Sequence, residues 1–134
     1  MSYSTSKGGD GERECSEFLN EVFKEFGFKF FRVGGAERWK RTLAGDVVLD
    51  AKTDPNGLCV LKPYYIEVKK RENLQVFNSL AKAEDDAEHW GKFGAIGYFI
   101  KQGRGHQGER IIAMGLKTFE RLMSELQRSR GKGV

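Results

Sequence analysis

The clearest periodic pattern of apolar residues runs from residue 11 to residue 26. Its members, at the spacing i, i+3, i+4 and i+7, are Cys15, Phe18, Leu19, Val22, Phe23 and Phe26. This spacing is typical of an amphipathic helix, and Gly27 is a residue type that commonly ends one. The pattern therefore predicts a helix over 11–26 whose apolar stripe is centred between Cys15, Val22 and Phe26.

The remaining chain alternates short β-branched or aromatic runs with two further amphipathic stretches. The runs predict strands over 28–33, 46–50, 59–70, 95–101 and 110–114, and the stretches predict helices over 74–90 and 116–127. The order α-β-β-β-α-β-β-α indicates an α/β fold in which helices flank a central mixed β-sheet. We expect one domain over 1–134 with flexible ends at 1–8 and 129–134.

Composition narrows the class of protein. The chain has 134 residues with 39% hydrophobic side chains, enough for one core without a disulfide or a structural metal. Two cysteines are too few for a disulfide framework or a zinc cluster. The chain has neither an apolar run of about 20 residues nor a secretory leader, so we expect no membrane contact and a cytoplasmic location. The net charge of +4 is a first indication of a polyanionic partner.

Two charged residues interrupt the apolar strand predicted over 59–70. The strand period of two places Glu67 and Lys69 on one face and Ile66 and Val68 on the other. Glu67 offers oxygen ligands to a hard cation, and Lys69 can orient a water molecule or offset charge on a phosphate. The alternative interpretation is an ion pair on a solvated face of the sheet.

A second carboxylate, Asp46, opens the preceding strand directly after Gly45. The following turn returns the chain, so this strand is expected to lie beside Glu67. Two carboxylates together with the backbone carbonyl of Val68 match the oxygen ligation that Mg²⁺ prefers. Asp50 competes for this role but lies at the far end of the strand. We therefore predict Asp46 as the ligand.

The first helix contributes a third acid. At about 100° per residue, Glu12 falls about 50° from the centre of the apolar stripe, whereas Glu14, Glu17, Glu21 and Glu25 lie about 90° or more from it. Because an inward carboxylate is costly to bury, a metal-bound water or a basic partner would explain Glu12. The alternative is an acid of the first helical turn that the helix dipole favours.

Glu12, Asp46, Glu67 and Lys69 occur in an order that resembles the nuclease superfamily with the motif Asp followed by Asp/Glu-x-Lys. The chain is most similar to archaeal-type Holliday junction resolvases and their phage-encoded relatives. The matching segments are Lys7-Gly8, Glu12-Arg-Glu14, Phe26-Gly-Phe28, Arg32, Gly45-Asp46-Val-Val and Ile66-Glu-Val-Lys-Lys-Arg-Glu72. A glycine, Gly45, stands where the family usually has proline.

The resemblance implies a restriction-endonuclease-like fold and a metal-dependent endonuclease. Glu12, Asp46, Glu67 and Lys69 fall on the family's catalytic positions. Mg²⁺, with Mn²⁺ as a substitute, would be held by Asp46, Glu67 and the Val68 carbonyl, and Glu12 would hold a second ion or its water. Arg13 and Arg32 fall on positions that contact DNA or support the site. The cell would be archaeal, bacterial or a phage-infected host.

The resemblance also implies that the chain resolves four-way DNA junctions, and a homodimer is expected because two symmetrical cuts need two active sites. The residues expected to contact phosphates are Lys7, Arg13, Arg32, Arg38, Lys40, Arg41, Lys70 and Arg71. Two alternatives stay open. One is a nuclease of the same superfamily that cuts linear, nicked or flapped DNA, and the other is a basic DNA-binding module without catalysis.

Overall fold

The computed structural model describes residues 3–34, 44–103 and 108–132, with side chains over 9–34, 44–103 and 108–130. Three helices and five strands follow in the predicted order. The helices are α1 (Tyr3–Val22), α2 (Val76–His89) and α3 (Leu116–Lys132), and the strands are β1 (Phe30–Arg32), β2 (Val47–Leu49), β3 (Tyr64–Arg71), β4 (Gly94–Lys101) and β5 (Glu109–Ala113). The described helices include none with the length and apolar character needed to cross a membrane.

The five strands form one mixed sheet in the order β1-β2-β3-β4-β5. Strands β3 and β4 are parallel and pair from Tyr64 opposite Gly94 to Arg71 opposite Lys101. The other neighbours are antiparallel. The α/β class with a central mixed sheet is therefore confirmed, and β3, which carries Glu67, lies at its centre.

The two faces of β3 pack against different helices. On one face, Ile66 and Val68 share a buried cluster with Cys15 and Leu19 of α1. On the other face, Tyr65 packs with small residues of α2 and β4, namely Ala83, Ala87 and Ala95. Successive residues of β3 thus alternate between the α1 side and the α2 side, which confirms the predicted period of two.

The apolar stripe of α1 is buried only in part, which corrects the predicted centre of that stripe. Cys15 is 1% exposed, whereas Val22 and Phe26 are 52% and 67% exposed. The reason is that α1 ends at Val22, four residues earlier than predicted. A separate 3₁₀ turn over Lys24–Phe26 follows and ends at Gly27, whose φ is 78°. A 3₁₀ turn has about three residues per turn instead of 3.6, so Phe26 does not lie in line with the buried face of α1.

Gly45 is required by the backbone just before Asp46. Its φ is +117°, and a Cβ there would lie 3.1 Å from the carbonyl oxygen of Ile66 and 3.2 Å from its nitrogen. We expect Gly45→Ala to lower the free energy of unfolding by about 2–3 kcal/mol, because strain at a positive φ adds to the contact with the backbone of β3.

The matched control is Gly34→Ala, where a Cβ would meet nothing within 4 Å and no positive φ opposes it. Urea unfolding of both variants measures the difference. Equal stability of Gly45→Ala and Gly34→Ala would contradict the structural role of Gly45.

Candidate active site

Asp46 directly precedes β2, next to the residues at which β2 pairs with β3. Its N–H donates to the Ile66 carbonyl at 2.9 Å, and its own carbonyl accepts from the Val33 N–H at 2.9 Å. The carboxylate atom Oδ2 accepts from the Val68 N–H, also at 2.9 Å. The side-chain oxygen therefore accepts the hydrogen bond that a backbone carbonyl would accept if the pairing of β2 with β3 continued to Val68. With only 8% of its surface exposed, Asp46 is held in a fixed orientation beside β3.

Glu67 and Lys69 project from the same face of β3, as the strand period predicts. The Lys69 Nζ is 3.2 Å from Glu67 Oε2, and 11% of the Glu67 side chain and 29% of the Lys69 side chain are exposed. Burial, followed by the negative charge of Asp46, raises the pKa of Glu67 to about 7, against a smaller lowering by Lys69. Asp46 and Glu67 are thus close enough for mutual repulsion.

The donor set around this pair matches the chemistry of a divalent cation. The amide and carbonyl of one strand residue point to the same side, so the Val68 carbonyl faces the side on which its N–H meets Asp46. Two carboxylates and a carbonyl are oxygen donors of the kind that Mg²⁺ and Mn²⁺ take. Such a cation would offset the repulsion that raises the pKa of Glu67. Asp50 lies at the other end of β2, where its Oδ1 accepts from the Lys52 N–H.

Glu12 points inward from α1, as its angular position predicts, and its side chain is 13% exposed. Its Oε1 lies 3.8 Å from Nη1 of Arg32, so the structure provides the basic partner. Within the described residues, no three His, Cys, Asp or Glu side chains are grouped closely enough to hold a metal ion. Glu12 therefore does not join Asp46 and Glu67 in a three-carboxylate cluster.

Cys15 lies close enough to Glu12 and Asp46 for their charges to act on its thiol. Burial raises the pKa of its thiol to about 12, and the negative charges of Asp46, Glu14 and Glu12 add to that effect. Asp46 thus influences both Cys15 of α1 and Glu67 of β3. The carboxylates lie around the middle of α1 and the middle of β3, since α1 begins at Tyr3 and not at residue 11 as predicted.

Sequence reasoning missed Glu14, whose angular position on α1 indicates a side-facing residue. Glu14 Oε2 accepts from the Tyr98 hydroxyl at 2.8 Å, and Oε1 accepts from Nη2 of Arg110 at 2.7 Å. The Arg110 Nε also donates to Glu14. Hydrogen bonds from Arg110 outweigh the opposing effect of burial and lower the pKa of Glu14. The carboxylate therefore ties α1 to β4 and β5.

Removing the Glu14 carboxylate should lower the stability of the protein. We predict that Glu14→Ala lowers the free energy of unfolding by about 2 kcal/mol, because it leaves the hydroxyl of buried Tyr98 and the guanidinium of Arg110 without their carboxylate. Exposed Glu17, on the same helix, is the control. Glu17→Ala should change stability by less than about 0.5 kcal/mol. Urea midpoints that coincide for the two variants would show that the hydrogen bonds of Glu14 do not contribute to stability.

The basic residues predicted to contact DNA differ in what surrounds them. Arg13 is exposed and pairs with Asp10 at 3.0 Å, and Arg71 is exposed near the end of β3. Lys70 is half-buried, and its charge contributes to the lowered pKa of Glu14. The side chain of Lys7 and the residues Arg38, Lys40 and Arg41 lie outside the described part of the chain.

Comparisons with known proteins add no relative. No protein-family model matches the chain, and searches of curated proteins and of solved structures give no significant match. Functional inference therefore depends on the motif residues and on their geometry.

Proposed function

We propose that this chain is a Mg²⁺-dependent endonuclease with a restriction-endonuclease-like fold that resolves four-way DNA junctions. One observation carries the proposal. The Asp46 carboxylate is fixed by the Val68 N–H beside β3, where it acts on Glu67, and Glu67 in turn pairs with Lys69. An ion pair on a solvated face does not account for a nearly buried Glu67 with a second carboxylate against it.

The chain's own residues have distinct roles in this proposal. Asp46, Glu67 and the Val68 carbonyl would hold Mg²⁺, and the bound metal would supply a Lewis acid and a water of lowered pKa. Lys69, whose Nζ lies 3.2 Å from Glu67, positions the attacking water and offsets charge on the scissile phosphate. The product of the hydrolysis carries a 5′-phosphate. Glu12, next to Arg32, would hold a second ion or its water.

The proposed substrate follows from the balance of phosphate-binding and base-reading groups. Arg13, Arg71 and half-buried Lys70 lie on or near α1 and the end of β3. Lysine and arginine on exposed surfaces bind phosphates irrespective of base sequence. This favours recognition of a branched shape over recognition of a sequence. A C2 homodimer would supply the two active sites that paired cuts require.

The test is cleavage of a labelled four-way junction beside a linear duplex of the same sequence, each with Mg²⁺ and with EDTA. We expect paired, symmetrical nicks in the junction only, abolished by EDTA. Equal cutting of both substrates would replace junction resolution with a general nuclease of linear, nicked or flapped DNA. Binding without cutting in Mg²⁺ or Mn²⁺ would leave a non-catalytic DNA-binding module.

A further inference from the structure

A second concave surface lies away from the candidate active site. It is a cleft of about 500 Å³ between the loop before β3, the loop from α2 to β4, and α3. Its lining residues include none of Glu12, Asp46, Glu67 and Lys69. Its volume is within the range of about 300–1,000 Å³ typical of binding pockets. We call it the distal cleft.

The walls of the distal cleft are apolar and open to solvent. Leu58 is 74% exposed, Phe93 41%, Leu126 40% and Trp90 36%. Single exposed apolar residues are ordinary on protein surfaces, but four around one concavity form a patch of the kind that marks an interaction site. Apolar side chains of a partner would be removed from water on binding there.

Two lysines share one wall of the distal cleft. Lys92 Nζ donates to the carbonyl of Lys62 at 3.1 Å, and both residues line the cleft. Burial, and then the positive charge of Lys62, lower the pKa of Lys92. In the part of the chain whose side chains are described, no carboxylate lies within salt-bridge distance of either ammonium group. These cations therefore lack an acidic partner from the described fold.

A third cation lies at the rim, and Glu125, the one acid among the described residues that line the cleft, is hydrogen-bonded within the fold. The Arg121 Cζ lies 3.5 Å from the centroid of the Phe93 ring, which leaves the guanidinium edge available to an acceptor. Glu125 accepts a hydrogen bond from the Tyr64 hydroxyl at 2.5 Å. Apolar walls with a cationic edge thus complement a ligand that carries both apolar groups and carboxylates.

We propose that the distal cleft binds a peptide segment of a partner protein that carries both acidic and large apolar side chains. A nucleic acid fits less well. The adjoining surface beside Lys92 and Phe93 carries the acids Glu84, Asp85 and Glu88, which would repel a phosphate backbone continuing past the lysines. A short peptide places its carboxylates only at the cations. The inference does not rest on the proposed nuclease activity.

The probe is a fluorescein-labelled acidic peptide, GSDDFDLF, followed by fluorescence anisotropy with the full-length protein. We expect a Kd of about 10 µM, and at least about tenfold weaker binding of the neutral counterpart GSNNFNLF. The double variant Lys62→Ser/Lys92→Met should weaken binding of the acidic peptide by a similar factor. The charge-matched control is the double variant Lys24→Ala/Lys82→Ala, which replaces two exposed lysines outside the cleft and should leave binding unchanged.

Circular dichroism and thermal melts establish that each variant is folded before binding is compared. Equal affinity for the acidic and neutral peptides, equal affinity of the double variant and the wild type, or no binding at all would overturn the proposal. A fluorescent single-stranded oligonucleotide whose binding is weakened by Lys62→Ser/Lys92→Met, while peptide binding is not, would assign the cleft to nucleic acid and also overturn it.

Discussion

Replacing Lys69 by alanine should slow DNA cleavage at least about 1,000-fold at saturating substrate, while the affinity for junction DNA stays nearly unchanged. The physical reason is that Lys69 lies beside Glu67 and is only partly exposed, so its charge acts on the reacting groups and not on distant phosphates. Single-turnover cleavage of a labelled junction in Mg²⁺ measures the rate. Electrophoretic mobility shift in Ca²⁺ measures the affinity separately.

The neighbouring lysine provides the matched control. Lys70 projects from the opposite face of β3, next to Gly11 of α1. Lys70→Ala should weaken binding and reduce its dependence on salt concentration, but leave the rate at saturation nearly intact. If Lys69→Ala cuts at the wild-type rate, the assignment of the catalytic residues is wrong whatever the substrate.

Replacing Glu67 by glutamine should abolish cleavage and at the same time stabilise the metal-free protein at pH 8 by about 1–3 kcal/mol. The folded state raises the pKa of Glu67 from 4.5 to about 7. The unfolded chain therefore gives up this proton at a lower pH than the folded chain. Stability from the protonated carboxyl is fully present below about pH 4.5 and is lost as the pH rises to about 7.

Denaturant unfolding at pH 5 and pH 8, with and without Mg²⁺, tests this prediction. The wild type should lose stability between the two pH values more steeply than Glu67→Gln. Mg²⁺ should stabilise the wild type at pH 8 by mass action and have little effect on the variant. Glu120→Gln, on the exposed surface of α3, is the control and should behave as the wild type. A Glu67→Gln protein less stable than the wild type at pH 8 would contradict the account of the site.

The two effects expected of Glu67→Gln, loss of cleavage and gain of stability, reflect opposite demands on one residue. Glu67 is buried against Asp46 in an arrangement that costs stability without a cation. The same proximity is what allows two carboxylates to share a divalent ion. Functional sites commonly retain such unfavourable arrangements at the expense of stability.

Local patterns were sufficient to predict much of the fold. The strand period of two places Glu67 with Lys69, and the short strand after Gly45 correctly indicates Asp46 beside β3. The angular position of Glu12 likewise predicts its burial. Each of these predictions needs only the geometry of one element or one hairpin, which is why it can be made from the sequence.

Other features depend on contacts distant in sequence. Glu14 and Arg110 are 96 positions apart, and no periodicity of α1 indicates that β5 brings a guanidinium to that helix. The end of α1 at Val22 is likewise accompanied by contacts outside the helix, since Asn20 exchanges two hydrogen bonds with the backbone of Phe30, ten positions later. Such features follow from tertiary packing, which the pattern of one segment does not contain.

The central claim is that Asp46 and Glu67 hold one divalent ion. Its most direct test is a crystal structure of the protein grown with MnCl₂, with diffraction collected near the manganese absorption edge. We predict an anomalous difference peak bound by carboxylate oxygens of Asp46 and Glu67 and by the Val68 carbonyl, at about 2.1–2.2 Å from each. A structure without a peak between these residues, or with manganese bound only elsewhere, would contradict the claim.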